Sequence, residues 1–526
     1  MGKLIQSGKQ LNTDIKINKK DLDKHVFVTG VTGSGKTTTC QNILIKSGYP
    51  FLVIEPAKTE YRTLKLQQGF KDILIFTLGN DTVSPFRLNP LEFIKGESIT
   101  SHADMLKASI ESAFDMEAAI PQIIESAIYK SYEDCGWDIT TNTNRIYGEK
   151  AFDEGVNSFP TLAEMVKNCA VVVGEQGFDK RLHDEYIGSI NARLQGLLVG
   201  AKGQMLNCRR SISFKELLHK QVVLELEEIR SVSEKALLMG FILSGLQGTL
   251  KQIFKENPKF KHITLIEEAH RLLSKFEPGD ALSKKHGIEM FADMLAEVRK
   301  YGEALIIADQ IPSKLMPDVI KNTNTKIVHK IFAQDDKDSI GNTMALSDEQ
   351  RNFLSSLDPG RTIVFSQGWD TALQVQIEKL TDTTSENLVR DEIIRDAAID
   401  FYLENYKSGW FPEISCFSKM PTKHEFENCV NNSLYKKLDE LYISFVSSII
   451  GQKKWDEDLL ETLKELERLQ GKDTLIEYIV RRYYHDGEKT IDTRRENVRK
   501  LLSMMYSNEA NFSVFDKKLN LEIRGR

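Results

Sequence analysis

The chain has 526 residues, with 70 basic against 76 acidic side chains for a net charge of −6, and a mean hydropathy of −0.33. That length supports two or three domains with cores of their own, and the slightly acidic balance excludes a general basic coat for nucleic acid, though not positive charge confined to a narrow pore. No apolar run approaches the roughly 20 residues of a bilayer span, MGKLIQSGKQ offers neither a signal core nor, with Gln6, an N-myristoylation site, and the six scattered cysteines (Cys40, Cys135, Cys169, Cys208, Cys416, Cys429) lack C-x-x-C spacing; a cytoplasmic protein with free buried thiols is expected.

Residues 1–24 are polar and Lys-rich, and alternation around Leu11 to Ile17 predicts a small strand pair. His25 to Thr39 then reads HVFVTGVTGSGKTTT. The β-branched run Val26 to Val28 predicts a strand, Gly30, Gly35, Lys36 and Thr37 fit G-x-x-x-x-G-K-[ST] with an extra Gly33, and Lys36 opens a helix. Glycines let backbone N–H groups curl around phosphates, and the helix N-terminus adds partial positive charge. Lys36 is expected at the β and γ phosphates and the Thr37 hydroxyl on Mg²⁺, with Ser34 and Thr38 completing the cradle for ATP.

Phe51 to Ile54 and Ile73 to Phe76 are short apolar runs of the kind buried in parallel sheets. From about Thr100 to Ser213 the pattern is helical, with segments near His102 to Phe114, Ile120 to Glu133, Leu162 to Val172 and Lys180 to Leu198. Strands then resume at Val222 to Leu226, Ile263 to Ile266, Ala304 to Ala308, Lys326 to His329 and Thr362 to Phe365, interleaved with helices at Glu234 to Phe254 and Ile288 to Tyr301. Glu277 to Lys285 reads as a mobile loop. Past Thr381 only helices are predicted, at Ser385 to Tyr406, Leu434 to Ile450, Asp456 to Gln470, Thr474 to Tyr484 and Thr490 to Tyr506, with a hinge at Gly409 to Lys423. Strands alternating with helices predict a doubly wound α/β sheet. The divisions are a β extension (1–24), an α/β core in two parts (25–99 and 214–380), a helical insertion (100–213) and a C-terminal helical domain (381–526).

Three further stretches carry chemistry. In HITLIEEAHRLL an apolar strand ends in Glu267 and Glu268, and open α/β sheets bind ligands at that end. The first acid suits the water shell of Mg²⁺ and the second the attacking water. The strand Ala304 to Ala308 ends in Asp309 and Gln310, where Gln310 is either a γ-phosphate sensor or a plain turn residue. Arg299 and Lys300 close the preceding helix, either as partners of its dipole or, for Arg299, as a phosphate-contacting arginine in the same chain or across a subunit interface. For nucleic acid, Lys202 between two glycines, Lys284 and Lys285 in the loop after the acids, and Arg494, Arg495, Arg499 and Lys500 on the last helix are candidate contacts, or solvated surface charges.

HVFVTGVTGSGKTTT, FLVIEPAKTEYRTL from Phe51, IFTLGNDTVSPFRLNPLEF from Ile75, LIEEAHRLL from Leu265 and RKYGEALIIADQIPSKL from Arg299 together resemble the HerA/FtsK-like branch of P-loop ATPases, specifically the bacterial HerA-like (DUF87-type) DNA translocases. The resemblance runs from roughly Leu11 to Leu380 in the family's order. It implies a RecA-like core in a hexameric ring, ATP bound between subunits, double-stranded DNA in the central channel, and a separate effector such as a nuclease or, in antiviral defence, a sirtuin-like NAD hydrolase. It also implies Lys36 and Thr37 as the phosphate-loop residues, Glu268 as the catalytic glutamate, Gln310 as the sensor and Arg299 as the family's arginine. Glu267 departs from the pattern, standing where relatives commonly have Asp, and the N-terminal barrel by which many HerA proteins dock a nuclease is expected to be missing or reduced to Gly2 to Asn18, with another docking surface in its place. The expected function is an ATP-driven DNA motor; the alternative is an ATP-dependent scaffold ring that holds an antiviral effector. A P-loop metabolic kinase fits poorly, because paired acids before Ala269-His270 suit hydrolysis better than transfer to a small molecule.

Overall fold

The computed structural model describes residues 1–116, 119–153, 156–380, 389–405, 432–447, 453–470, 472–483 and 492–506. Contacts divide the chain into two units, 1–129 with 161–398 and 130–160 with 399–526. The strands, in chain order, are β1 (Gly2–Gln6), β2 (Lys9–Ile15), β3 (Val26–Thr29), β4 (Phe51–Glu55), β5 (Leu74–Thr77), β6 (Trp137–Asp138), β7 (Thr143–Asn144), β8 (Gln221–Glu225), β9 (His262–Glu267), β10 (Glu303–Asp309), β11 (Thr325–Val328), β12 (Arg361–Ser366) and β13 (Leu373–Ile377). All but β6 and β7 form one eleven-stranded sheet ordered β2-β1-β13-β12-β11-β3-β10-β9-β4-β8-β5.

From β11 to β5 the neighbours run parallel. The reason is visible in the residues: β3, β4, β5 and β10 are buried along their whole length, which requires the continuous apolar runs of a sheet covered on both faces. The other half is antiparallel. The expected N-terminal strand pair is a hairpin, turned at Ser7 and Gly8 with φ of 49° and 76°, the two positive values of a type I′ turn. It joins the main sheet through β1 on β13. β13 itself was not predicted, although LQVQI alternates.

The longer helices that lie wholly or partly in the first unit are α1 (Lys36–Ser47), α2 (Ile99–Ala113), α3 (Ile120–Asp134), α4 (Leu162–Glu175), α5 (Lys180–Leu194), α6 (Val232–Glu256), α7 (Leu282–Glu297) and α8 (Asp391–Asn405). α6 corrects one expectation: its 25 residues are long and apolar enough to cross a membrane, yet 78% of its apolar window is buried within the fold. Small residues let its neighbours close on it, since a Cβ on Gly240 would meet the Ser109 side chain of α2 at 2.9 Å and the Phe291 ring of α7 at 3.1 Å. A second correction concerns Glu277 to Lys285, where only the first part is a loop and α7 begins at Leu282.

The second unit holds the β6–β7 ribbon and helices α9 (Asn432–Ser447), α10 (Lys453–Gln470), α11 (Lys472–Tyr483) and α12 (Asp492–Tyr506). Leu459, Leu463 and Leu466 on α10, and Val498, Leu501 and Leu502 on α12, share one core because spacings of three and four fall on one helix face. The predicted hinge, with Trp410, Pro412 and Pro421, lies outside the described residues, as do Cys416 and Cys429; the other four cysteines are buried and are in no disulfide among the described residues. Inside this core Asp439 accepts hydrogen bonds from Arg482 at 2.9 Å and from the Tyr483 hydroxyl, and Arg482 also donates to Asn157 at 2.9 Å. Removing one member of a buried ion pair strands the other. Asp439→Ala is expected to cost about 3–5 kcal/mol, read as a lowered midpoint in chemical denaturation followed by circular dichroism; an unchanged midpoint would contradict this account of the core.

Candidate active site

Parallel register aligns the strand ends that build the site. Thr29 stands level with Asp309 on β10 and with Val328 on β11, Glu267 with Ala308, and Ile54 with Ile266. Everything polar that follows these positions is therefore delivered to one edge of the sheet, the carboxyl edge at which α/β sheets bind ligands.

The loop between β3 and α1 is clamped from beneath. Val31 N–H donates to the Lys330 carbonyl at 2.9 Å and Gly360 N–H to the Ser34 carbonyl at 2.9 Å. His329, fully buried, contacts the Ser34 carbonyl through Nδ1 at 2.9 Å and the Thr39 hydroxyl through Nε2 at 2.9 Å. A carbonyl only accepts, so Nδ1 carries the proton and Nε2 accepts from Thr39. A Cβ on Gly30 would lie 2.5 Å from the His329 Cβ, so the glycine is required by that close approach. Gly35, at the N-terminus of α1, has φ of 103°, a conformation that leaves glycine as the natural choice. Lys36 turns back to the Val31 carbonyl at 3.2 Å, and burial lowers its pKa against the opposing pull of Glu267. Ser34 donates to Val31 within the loop at 2.7 Å, and the Thr38 carbonyl accepts from Asn42 at 3.0 Å.

Across from this loop, Gln310 joins two elements. Its Oε1 accepts from Thr32 at 2.7 Å and its Nε2 donates to Glu268 at 2.6 Å. Glu268 adopts a left-handed conformation, φ 52° and ψ 42°, which costs a residue with a Cβ on the order of 1 kcal/mol or more and concentrates at functional sites. Asp309 fixes the turn after β9 by accepting from His270 N–H at 2.8 Å, and Arg271 places its guanidinium 3.7 Å from Glu268. Glu267 accepts from the Tyr61 hydroxyl at 2.5 Å; burial pushes its carboxyl up to about 7 despite that bond and Lys36. Thr37 donates to Glu60 at 2.5 Å, and Lys58 donates to the other oxygen of Glu60 at 2.5 Å. Partial burial pushes Glu60 up, but these two hydrogen bonds outweigh it and hold the carboxyl below its ordinary range.

The structure thus brings Gly30, Gly33, Ser34, Gly35, Lys36, Thr37, Thr38, Glu267, Glu268 and Gln310 to one edge. It sends Arg299 elsewhere. Arg299 lies in the turn Val298–Tyr301 before β10 begins, and its charge helps burial depress His25, which precedes β3. The seven residues of β10 separate it from the phosphate loop by about 20 Å, so a contact with phosphate in its own chain is ruled out. The candidate lysines are not on loops: Lys202 sits in the short helix Gly200–Leu206 and pairs with Glu234 at 2.6 Å, while Lys284 and Lys285 lie in α7 beside Asp280 at 2.9 Å and Glu289 at 3.7 Å. Arg499 and Lys500 are exposed on α12; the side chains of Arg494 and Arg495 lie outside the described residues.

Sequence reasoning assigned no part to Thr32, Glu60, Tyr61 or His329. Each bonds to a residue distant in the chain, and the available signal was positional: His329 ends a predicted strand beside the loop, and Glu60 and Tyr61 follow the strand next but one to β10.

A strand, a glycine loop closed over a helix, and paired carboxylates with a strand-end glutamine define a P-loop ATPase. The family model for the helicase HerA central domain matches residues 1–147. The chain is 25% identical over 393 residues to a DNA double-strand break repair helicase HerA of Sulfolobus acidocaldarius, covering 72% of this chain and 69% of that one. It is equally 25% identical over 393 residues to a probable HerA of Methanocaldococcus jannaschii, covering 68% and 72%. VirB4 of Thermoanaerobacter pseudethanolicus shares the fold, with a TM-score of 0.55 at 16% identity over 72% of this chain and 96% of that one. The chain is thus a P-loop ATPase similar to the HerA helicases.

The buried histidine makes the site acid-sensitive. Burial holds His329 down to about 3 against about 6.5 unfolded. A depressed pKa contributes stability above the unfolded value, lost as pH falls from 6.5 toward 3, on the order of 1 kcal/mol per pH unit. Thermal midpoints measured from about pH 7 to about pH 4 are expected to fall less steeply in His329→Gln than in the parent chain; parallel slopes would refute the assignment.

Proposed function

We propose that this ATPase assembles as a homo-hexameric ring and hydrolyses ATP with Mg²⁺ to move along or remodel double-stranded DNA. The observation that carries the reading is the continuous bond path Thr32–Gln310–Glu268 beside Lys36. It joins the loop that cradles phosphates to a carboxylate able to take a proton from water, which is the division of labour that hydrolysis requires. Loop N–H groups and Lys36 hold the phosphates, Gln310 reports the terminal one, and Glu268 orients the water.

Among the described residues no three His, Cys, Asp or Glu side chains are grouped to hold a metal. One hydroxyl with nearby carboxylates nevertheless fits Mg²⁺, which keeps several waters and takes phosphate oxygens as ligands. Thr37 would hold it directly and Glu267 through its water, and the ion would neutralise charge developing on the phosphates. Arg299, at the far edge of its own sheet, serves this reading only as an arginine offered to a neighbouring subunit. Lys202, Lys284 and Lys285 remain proposed DNA contacts; the Lys285–Glu289 pair is exposed and, worth about 1 kcal/mol or less, is the most readily exchanged for phosphate. The names of the HerA relatives support DNA as the load.

Glu268→Gln is expected to keep ATP binding and lose turnover, measured as phosphate release beside binding of a fluorescent ATP analogue; normal hydrolysis would sink the assignment. Duplex DNA is expected to stimulate the parent ATPase, on particles whose mass by light scattering is six chains. Slow, DNA-indifferent turnover with a stably co-purifying nuclease or NAD hydrolase would favour an antiviral scaffold ring instead.

A further inference from the structure

The turn after β4 is held more firmly than a connecting loop needs. Glu55, at the strand end, accepts from Glu60 N–H at 2.7 Å and Tyr61 N–H at 3.3 Å. Arg62 grips both oxygens of Glu225 at 2.6 and 2.8 Å and reaches Asp391 at 2.7 Å. Two side chains leave this braced backbone toward the nucleotide edge, Glu60 to the Thr37 hydroxyl and Tyr61 to Glu267. The Glu60 and Lys58 side chains are 41% and 47% exposed, so the pair faces open space and is no core ion pair.

A threonine hydroxyl has one proton and two lone pairs. With the proton committed to Glu60, both lone pairs are left for a cation; without that acceptor, the proton can swing toward the cation and oppose it. A carboxylate acceptor also enriches the hydroxyl oxygen in electron density, as partners behind metal ligands do. We propose that Glu60 is a positioning residue for magnesium: it orients Thr37 for the ion, Lys58 balances its charge, and Tyr61 on the same turn fixes Glu267. The proposal rests on the nucleotide reading of Thr37 given above and adds the residue that makes this threonine a competent ligand.

The test titrates the full-length chain with a fluorescent ADP derivative, first in EDTA and then with rising Mg²⁺. Glu60→Gln is expected to bind the nucleotide normally in EDTA and to need roughly 10-fold or more Mg²⁺ for half of the metal-dependent gain. Glu60→Asp keeps the charge but falls a methylene short of Thr37, and is expected to behave like Glu60→Gln. The proposal is overturned by an unchanged Mg²⁺ midpoint in Glu60→Gln, by equal loss of affinity in EDTA and in Mg²⁺, which a merely structural carboxylate would cause, or by parent behaviour in Glu60→Asp. Lys36→Ala separates the two claims: if it binds the nucleotide as the parent does, the phosphate-loop reading fails rather than the role of Glu60.

Discussion

The proposed hydrolysis needs the Glu268 carboxylate held still beside the phosphate loop, and one amide does the holding. Gln310 takes the Thr32 hydroxyl on its oxygen and gives its nitrogen to Glu268. An amide with both ends engaged cannot rotate without breaking two hydrogen bonds. The arrangement exists only because β10 lies between β3 and β9 in parallel register, placing the glutamine between the loop and the acid. The left-handed turn at Glu268 is the local cost of aiming that acid.

The same sheet edge solves an electrostatic problem. Glu55, Glu225, Glu60, Glu267 and Glu268 crowd the ends of neighbouring strands; burial, helped by the neighbouring like charges, holds Glu55, Glu225 and Glu267 above the ordinary carboxylate range, and the cost is limited where a cation or hydrogen-bond donor faces the acid. Each has such a partner: Arg62 on Glu225, backbone N–H groups on Glu55, Lys58 and Thr37 on Glu60, Tyr61 on Glu267, Gln310 on Glu268. On the other side of the loop His329 is neutral, so the floor of the phosphate cradle adds shape and hydrogen bonds without adding charge. Lys36 is the cation that the loop itself contributes.

Much of this was legible in the residues. The strands that bury both faces announce themselves as short β-branched runs, and the phosphate loop and acid pair sit at spacings that few other structures use. The half-buried strand β13, paired on both sides by β1 and β12, escaped notice because its alternation is brief. Glu60, Tyr61 and His329 escaped because a side chain's partner across a sheet is set by strand order, and order is not written in any local window. Arg299 illustrates the converse hazard: adjacency in sequence to the sensor strand suggested proximity to phosphate, but a strand carries its two ends to opposite edges. The lysines taken for loop residues fell in helices, since Gly200 and Gly203 are compatible with the short helix Gly200–Leu206 and Leu282 opens α7 ahead of its apolar stripe.

The central claim is that loop, glutamine and glutamate act as one unit in hydrolysis. It is tested most directly by single-turnover ATP hydrolysis in Thr32→Val, Gln310→Ala and the double variant, each at saturating nucleotide. The account predicts that Gln310→Ala loses roughly 10²-fold in rate and that the double variant is no slower than Gln310→Ala alone, because both break the same path. Losses that multiply, or a Gln310→Ala chain that hydrolyses ATP at the parent rate, would contradict it.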